Sequence, residues 1–257
     1  MKEKLGMIDQ GIIAMFQPKE YKRLREQKIG RTAGYILSLL ILVTVIRYVI
    51  PMSAQIAGLG GISNIIQNRM PQFSLQNGIL TVDGRYENAE PEYGRYILVD
   101  TEKERFDKSD IEVDYLQVVL VSATNVIMKN MILTEEYKWN DIIRTDLDNA
   151  KLGRYAYVFY LMFILFFIFL FLLTAAGYFF LSLLFAWIAN TLSKVMLLPL
   201  SFGQIYKMAL YAQSIGALVT AVAYCLESPL MIMASGIFSM IVTFNILNKA
   251  LLQERQI

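Results

Sequence analysis

The sequence predicts an integral membrane protein: an α-helical membrane domain of four spans, with an extracytoplasmic α+β domain inserted after the first. Three observations carry this. Tyr155 to Ser193 is a stretch of thirty-nine residues without one Asp, Glu, Lys or Arg, where a spanning helix needs about 20 apolar residues. Further apolar runs lie at Gly34–Ile50, 208–226 and 230–248. Between the first run and the long stretch the apolar residues alternate with period two, as half-buried strands require. The chain is 56% hydrophobic with a mean hydropathy of +0.44, which fits several spans plus one domain of ordinary size.

Charge is segregated behind a net +2. Residues 1–33 carry eight Lys/Arg against four Asp/Glu, whereas residues 52–150 carry nine against sixteen. Positive charge stays on the cytoplasmic side of a bilayer, so 1–33 is expected inside and 52–150 outside. The cluster Lys19, Lys22, Arg23, Arg25, Lys28 and Arg31 reads as that inside signal; the rival reading is a docking site for a cytoplasmic partner. Ahead of it, Ile8, Ile12, Ile13, Met15 and Phe16 fit one side of an interfacial helix. A cleavable signal peptide is not expected, because the charged region is long and no small-residue cleavage site follows.

Taken in order, 34–50 is the first span, with Arg47 able to snorkel at its outer end and Pro51 as its stop. Residues 51–152 form the outer domain. Phe73–Leu75 and Ile79–Thr81 flank Asn77-Gly78, a pair that supplies the positive φ values of a type I′ hairpin. Tyr96–Asp100 and Leu116–Val121 read as strands, Asn125–Leu133 as one or two more, and Trp139–Asn149 as a short helix. The membrane part, 153–257, opens with a helix over 153–197. At about 1.5 Å per residue it is about twice as long as the bilayer core is thick, so the alternative is two spans turning at Ala175-Ala176-Gly177, five in all. One crossing keeps Lys194, Lys207, Lys249 and Arg255 inside and is preferred. Ser201 suits an N-cap; spans 208–226 and 230–248 follow, joined at Glu227–Pro229, before a polar tail from Asn248.

Chemistry is constrained by what is missing. Histidine is absent and Cys225 is the single cysteine, which removes intrachain disulfides, zinc hydrolase chemistry and Ser–His or Cys–His nucleophiles. Gly58, Gly60 and Gly61 lack the strand and Gly-Lys-Ser/Thr of a phosphate loop. Asp107, Asp110, Glu112 and Asp114 miss the glycine and glutamate of a calcium loop and read as a solvated rim. Glu135 and Glu136 are adjacent and point apart on a strand, unlike a glycosidase pair. Tyr86, Tyr93, Tyr96 and Trp139 read as packing before a sugar-stacking surface. Asn190, Thr243 and Asn245 are expected to make polar contacts between helices rather than line a transport path. No catalytic, cofactor or metal residue is predicted, and no basic block marks the polar domain for nucleic acid.

Three segments together resemble a known family. They are Phe16-Gln-Pro-Lys-Glu-Tyr-Lys-Arg-Leu-Arg25, Pro71-Gln-Phe-Ser-Leu-Gln-Asn-Gly-Ile-Leu80 and Leu200-Ser-Phe-Gly-Gln-Ile-Tyr-Lys-Met-Ala-Leu-Tyr-Ala212. In this order they resemble the bacterial domain of unknown function family 1189, which includes maltodextrin-utilisation proteins of the MalA type. The membrane part is also similar in layout to Yip-type membrane proteins. The last segment puts Ser201, Phe202, Lys207, Tyr211 and Ala212 in the family-like motif. The resemblance implies a bacterial cytoplasmic membrane, the lipid bilayer as partner, and a link to carbohydrate uptake. A compact acidic outer domain on few spans, with no catalytic or ion-coupling constellation, makes the expected function that of a non-enzymatic accessory protein associating with an envelope protein. The resemblance suggests the permease of a maltodextrin-type ABC uptake system. The alternatives are a small transporter or lipid-handling protein, or an envelope sensor of a glycan or small molecule.

Overall fold

A computed structural model describes residues 4–111, 114–226 and 228–255. It divides into two compact units, a helical one of residues 1–55 and 162–257 and a sheet-containing one of residues 56–161. In chain order, α1 (Met7–Phe16) and α2 (Tyr21–Arg25) precede α3 (Ile29–Gly58). Eight strands follow: β1 (Phe73–Gln76), β2 (Ile79–Val82), β3 (Tyr86–Glu90), β4 (Arg95–Val99), β5 (Gln117–Val121), β6 (Asn125–Lys129), β7 (Thr134–Lys138) and, beyond α4 (Trp139–Ile142), β8 (Leu147–Asp148). Then come α5 (Asn149–Arg154), α6 (Ala156–Val195), α7 (Phe202–Ala212), α8 (Ser214–Cys225) and α9 (Pro229–Arg255). Among the described residues four helical stretches are long and apolar enough to cross a membrane: α3, α6, α7–α8 taken together, and α9.

The first of these starts five residues before the expected span and does not stop at Pro51. It widens into a π segment at Val45–Val49, where Ile50 N–H donates to the Val45 carbonyl, and this wider turn admits the proline ring. The helix ends instead on Gly60, whose φ of +81° closes it with bonds from Gly60 N–H to Ala57 O and Gly61 N–H to Ile56 O. Helix α6 runs unbroken for 40 residues, with no turn at Ala175–Gly177. It starts at Ala156 rather than 153 because Asn149–Arg154 forms a separate helix. Its C-terminus repeats the closure of α3, with Leu197 at φ +57° in the glycine position and bonds from Leu197 N–H to Lys194 O and Leu198 N–H to Ser193 O.

Helix α7 starts at Phe202 behind the expected cap, Ser201, which forms a capping box with Gln204. Helix α9 carries on through the expected polar tail to Arg255, since Ile246, Leu247, Ala250 and Leu251 keep an apolar face in the core. Of the apolar residues expected on one side of α1, Ile8, Ile12 and Phe16 share its outward side, whereas Ile13 turns into the core. Gln10, Gly11 and Ala14 are buried as well. Gly216 and Ser239 bring α8 and α9 together: a Cβ on Gly216 would stand 2.1 Å from Ser239 Oγ.

The second unit holds two sheets. One has the order β2-β1-β8; the other has the order β3-β4-β5-β6-β7, antiparallel except for the β4–β5 pair. Asn77 and Gly78 take φ of +49° and +77° in the β1–β2 hairpin, as the sequence requires. The helix expected over 139–149 is confined to one turn and gives way to β8. The core is Tyr96, Leu98, Phe106, Val118, Leu120 and Ile127 on one sheet face. Buried Asn149 fastens the unit: its Nδ2 donates to Ile66 O (2.9 Å) and Pro71 O (3.1 Å), and its Oδ1 accepts from Phe73 N–H (2.7 Å).

Candidate functional site

The helical unit contains a buried polar centre built around a break in the α7–α8 stretch at Gln213. Buried backbone groups need partners, and side chains supply them here. The Tyr178 hydroxyl donates to Leu210 O, and Ser214 Oγ donates to Tyr211 O at 2.7 Å. The Tyr211 hydroxyl donates to Gln10 Oε1 at 2.6 Å and lies 3.1 Å from Thr32 Oγ1, joining α7 to α1 and α3. The Tyr35 hydroxyl donates to Ser214 Oγ at 2.9 Å, and its ring stacks on Tyr211 with centroids 5.2 Å apart. Gln213 Nε2 donates to Ser182 Oγ, whose own hydrogen goes to Tyr178 O at 2.9 Å. The network uses hydroxyls and carboxamides alone. It ties α1, α3, α6, α7 and α8 together without burying a formal charge.

The motif residues fall into structural roles around this centre. Ser201 caps α7 and Tyr211 is the hub. Ala212 is buried and Phe202 half-exposed. Lys207 Nζ donates to the carbonyls of Arg25, the last residue of α2, and of Gln27 just beyond it. The basic cluster is divided. Lys19, Lys22 and Lys28 are exposed, Arg23 pairs with Glu20, and Arg31 Nη1 donates to Gln27 Oε1 at 3.4 Å. Arg25 turns inward, with Nη1 2.8 Å from Glu254 Oε2 of α9, both side chains about one-tenth exposed. That contact is an ion pair without aligned hydrogen-bond geometry, and Arg25 Nε and Glu254 Oε1 have no hydrogen-bond partner among the described residues.

The expected interhelical contacts of Asn190, Thr243 and Asn245 are not where the structure places polar bonding. Asn245 is exposed and Asn190 half-buried, and Thr243 Oγ1 is buried without a partner among the described residues. In a helix the side-chain direction, not the polarity, decides which residues meet. Gln10, Thr32, Tyr35, Ser182 and Ser214 make the contacts instead. Singly, each looks like an ordinary residue of an amphipathic or apolar helix; only the polar run Gln213-Ser214 inside an apolar stretch marks the place.

In the sheet unit, Tyr96 is in the core against Tyr115, Tyr93 is exposed, and Tyr86 and Trp139 line an apolar cleft of about 540 Å³. The four aromatics thus share no stacking face. Asp107 and Asp110 close a 3₁₀ turn, with Asp110 3.0 Å from Lys103; Glu112 lies outside the described residues. Glu135 bonds the Tyr137 hydroxyl while Glu136 pairs with Arg105 and Asn125 on the opposite side. Among the described residues no group of His, Cys, Asp and Glu is arranged to hold a metal. The β6–β7 tip is apolar and outward: Met131, Ile132 and Leu133 are 76%, 88% and 57% exposed. Asn130 Oδ1 holds that turn by accepting from Ile132 N–H (3.0 Å) and Leu133 N–H (2.8 Å).

Residues 9–251 match the model of DUF1189, a family described as protein of unknown function. The chain belongs to this family. No curated protein and no solved structure matches the chain.

Proposed function

We propose that this DUF1189 protein is an integral protein of the bacterial cytoplasmic membrane that acts by associating with another envelope protein rather than by catalysis. In this reading each apolar helical stretch crosses once. Residues 52–150 lie outside, and Met1–Arg31, Lys194–Lys207 and the end of α9 lie inside, as the segregation of charge favours.

The observation that carries the reading is the β6–β7 tip. Three adjacent aliphatic side chains are held in water by a turn that Asn130 braces, with exposed Met128 beside them. Covering such a patch contributes about 25 cal/mol per Å² of apolar surface. The partner to test first is the permease of a carbohydrate uptake system, because that is the association the sequence resemblance implies. Full-length protein, crosslinked and extracted in mild detergent, should bring down one stoichiometric membrane partner. Met131→Ser, Ile132→Ser and Leu133→Ser together should abolish capture. Recovery of the wild type alone, or undiminished capture by the triple variant, overturns the proposal.

The break at Gln213 favours a second reading, a small transporter or lipid-handling protein, since interrupted spans are where membrane proteins build sites. Lipid scrambling by the purified protein in liposomes, lost in Gln213→Leu, would place this reading first.

A further inference from the structure

A second feature of the helical unit is not absorbed by the polar centre. A cavity of about 300 Å³ is lined by Arg47 of α3, Thr174 and Tyr178 of α6, Gln213 and Thr220 at and beyond the break, and Ser239 of α9. Arg47 is the one charged residue of that lining among the described residues. Its guanidinium carbon sits 3.5 Å from the ring centroid of Tyr224 and 5.0 Å from that of Tyr48. Stacking fixes the plane of the group but occupies none of its five N–H donors. Its Nε is buried and has no acceptor among the described residues.

Backbone and depth point the same way. The π segment Val45–Val49 is centred on Arg47, and single π turns inside helices concentrate at functional sites. Arg47 lies eighteen residues past Ile29, about 27 Å along the helix at about 1.5 Å per residue. In a bilayer core about 30 Å thick that is the level of the far headgroups.

We propose that this cavity binds the phosphate group of an anionic membrane lipid. Arg47 is the cation, and Thr174, Thr220 and Ser239 are the neutral donors. The planar guanidinium matches two phosphate oxygens at once. A volume of about 300 Å³ is at the small end of ligand cavities and takes a glycerophosphate headgroup, leaving acyl chains in the bilayer. Gly177 is in the wall, and a Cβ there would meet nothing within 4 Å. A larger side chain can therefore obstruct the cavity without disturbing the packing.

The test is a thermal-shift and native mass-spectrometry titration of the full chain in neutral detergent with phosphatidylglycerol, diacylglycerol and glycerol 1-phosphate. Phosphatidylglycerol should bind and stabilise, and diacylglycerol should not. Arg47→Gln should weaken binding about tenfold or more, with Arg47→Lys between. Gly177→Leu should weaken it while leaving the fold intact, which keeps the test decisive if Arg47→Gln does not fold. Stabilisation by glycerol 1-phosphate equal to that by the lipid would support the anion site and assign it to a free phosphate ester; no effect of glycerol 1-phosphate would support the lipid. Wild-type affinity in Arg47→Gln or Gly177→Leu, or equal binding of diacylglycerol, overturns the proposal.

Discussion

The thiol sulfur of Cys225 lies 2.8 Å from the carbonyl oxygen of Ile46. In the π segment Ile50 N–H is taken by Val45 O, and Pro51 has no N–H to offer, so Ile46 O has lost its helical donor. The cysteine of α8 replaces that donor across the helix pair. Cys225→Ala should leave the carbonyl unsatisfied at a cost of about 1–3 kcal/mol, and Cys225→Ser should retain most of the stability. Pro51→Ala restores an N–H and should rescue Cys225→Ala more than it stabilises the wild type. Equal effects of Pro51→Ala in both backgrounds, measured by thermal unfolding in detergent, would refute this role for Cys225.

Arg25 and Glu254 form a long-range ion pair within the helical unit. Removing one partner of a buried pair leaves the other charge uncompensated, typically at about 3–5 kcal/mol. Arg25→Gln and Glu254→Gln should each destabilise strongly, and the double variant should lose less than their sum. Additive losses in denaturant titrations would mean the pair is not coupled.

Leu197 occupies the position of a helix terminus that favours glycine, with φ +57° and a side chain 90% exposed. A side chain in the left-handed region costs about 1–2 kcal/mol. Leu197→Gly should therefore raise the unfolding temperature. An unchanged or lower value would show that the side chain has an apolar contact of its own, such as lipid.

Acid should loosen the sheet unit at Glu136. Its carboxyl is held below the ordinary glutamate range, first by the bond from Asn125 and then by Arg105, and Asp110 is lowered by the Asp107 N–H and Lys103. A carboxylate with a depressed folded pKa contributes stability above its unfolded value, about 4.3 for Glu, and loses it as pH falls through the folded value. Trp139, bonded through Nε1 to Ser122 O, reports on this region once Trp187 is replaced by Phe. Its emission should change on going from about pH 5 to about pH 3, and less so in Glu136→Gln. An identical acid response in that variant would assign the transition to other groups.

Topology can be tested in intact cells. In a Cys225→Ser background, single cysteines at exposed Ser109 and Ser201 meet opposite outcomes with a membrane-impermeant maleimide. Ser109→Cys should label and Ser201→Cys should be protected until lysis. Labelling at Ser201 without lysis would replace four crossings by five.

The sequence was most legible where one local signal dominates. Asn77-Gly78 dictates its hairpin, and nothing between Tyr155 and Ser193 interrupts α6. Strands β3 and β7 were not legible, because Tyr86-Glu-Asn-Ala-Glu90 and Thr134-Glu-Glu-Tyr-Lys138 are polar segments on the two edges of the sheet, where burial is low. Pro51 misled because a π turn can accommodate a proline that an α turn rejects. The polar centre was hidden for another reason. Gln10, Thr32 and Tyr211 are far apart along the chain and meet through helix packing alone, while Asn190 and Asn245 stood out by polarity and point elsewhere.

Asn149 gives the sheet unit an independence that its place within the chain would not suggest. By bonding Ile66, Pro71 and Phe73 it ties the segment that enters the unit to the segment that leaves it. The entropy of closing so long a loop is then met inside the insertion, and each doubling of loop length adds only about 0.6 kcal/mol. Insertions of this kind can be lengthened, shortened or exchanged between relatives with little effect on the helices that carry them. Variation in length across the family should therefore collect between residues 74 and 148, with the clasp itself retained.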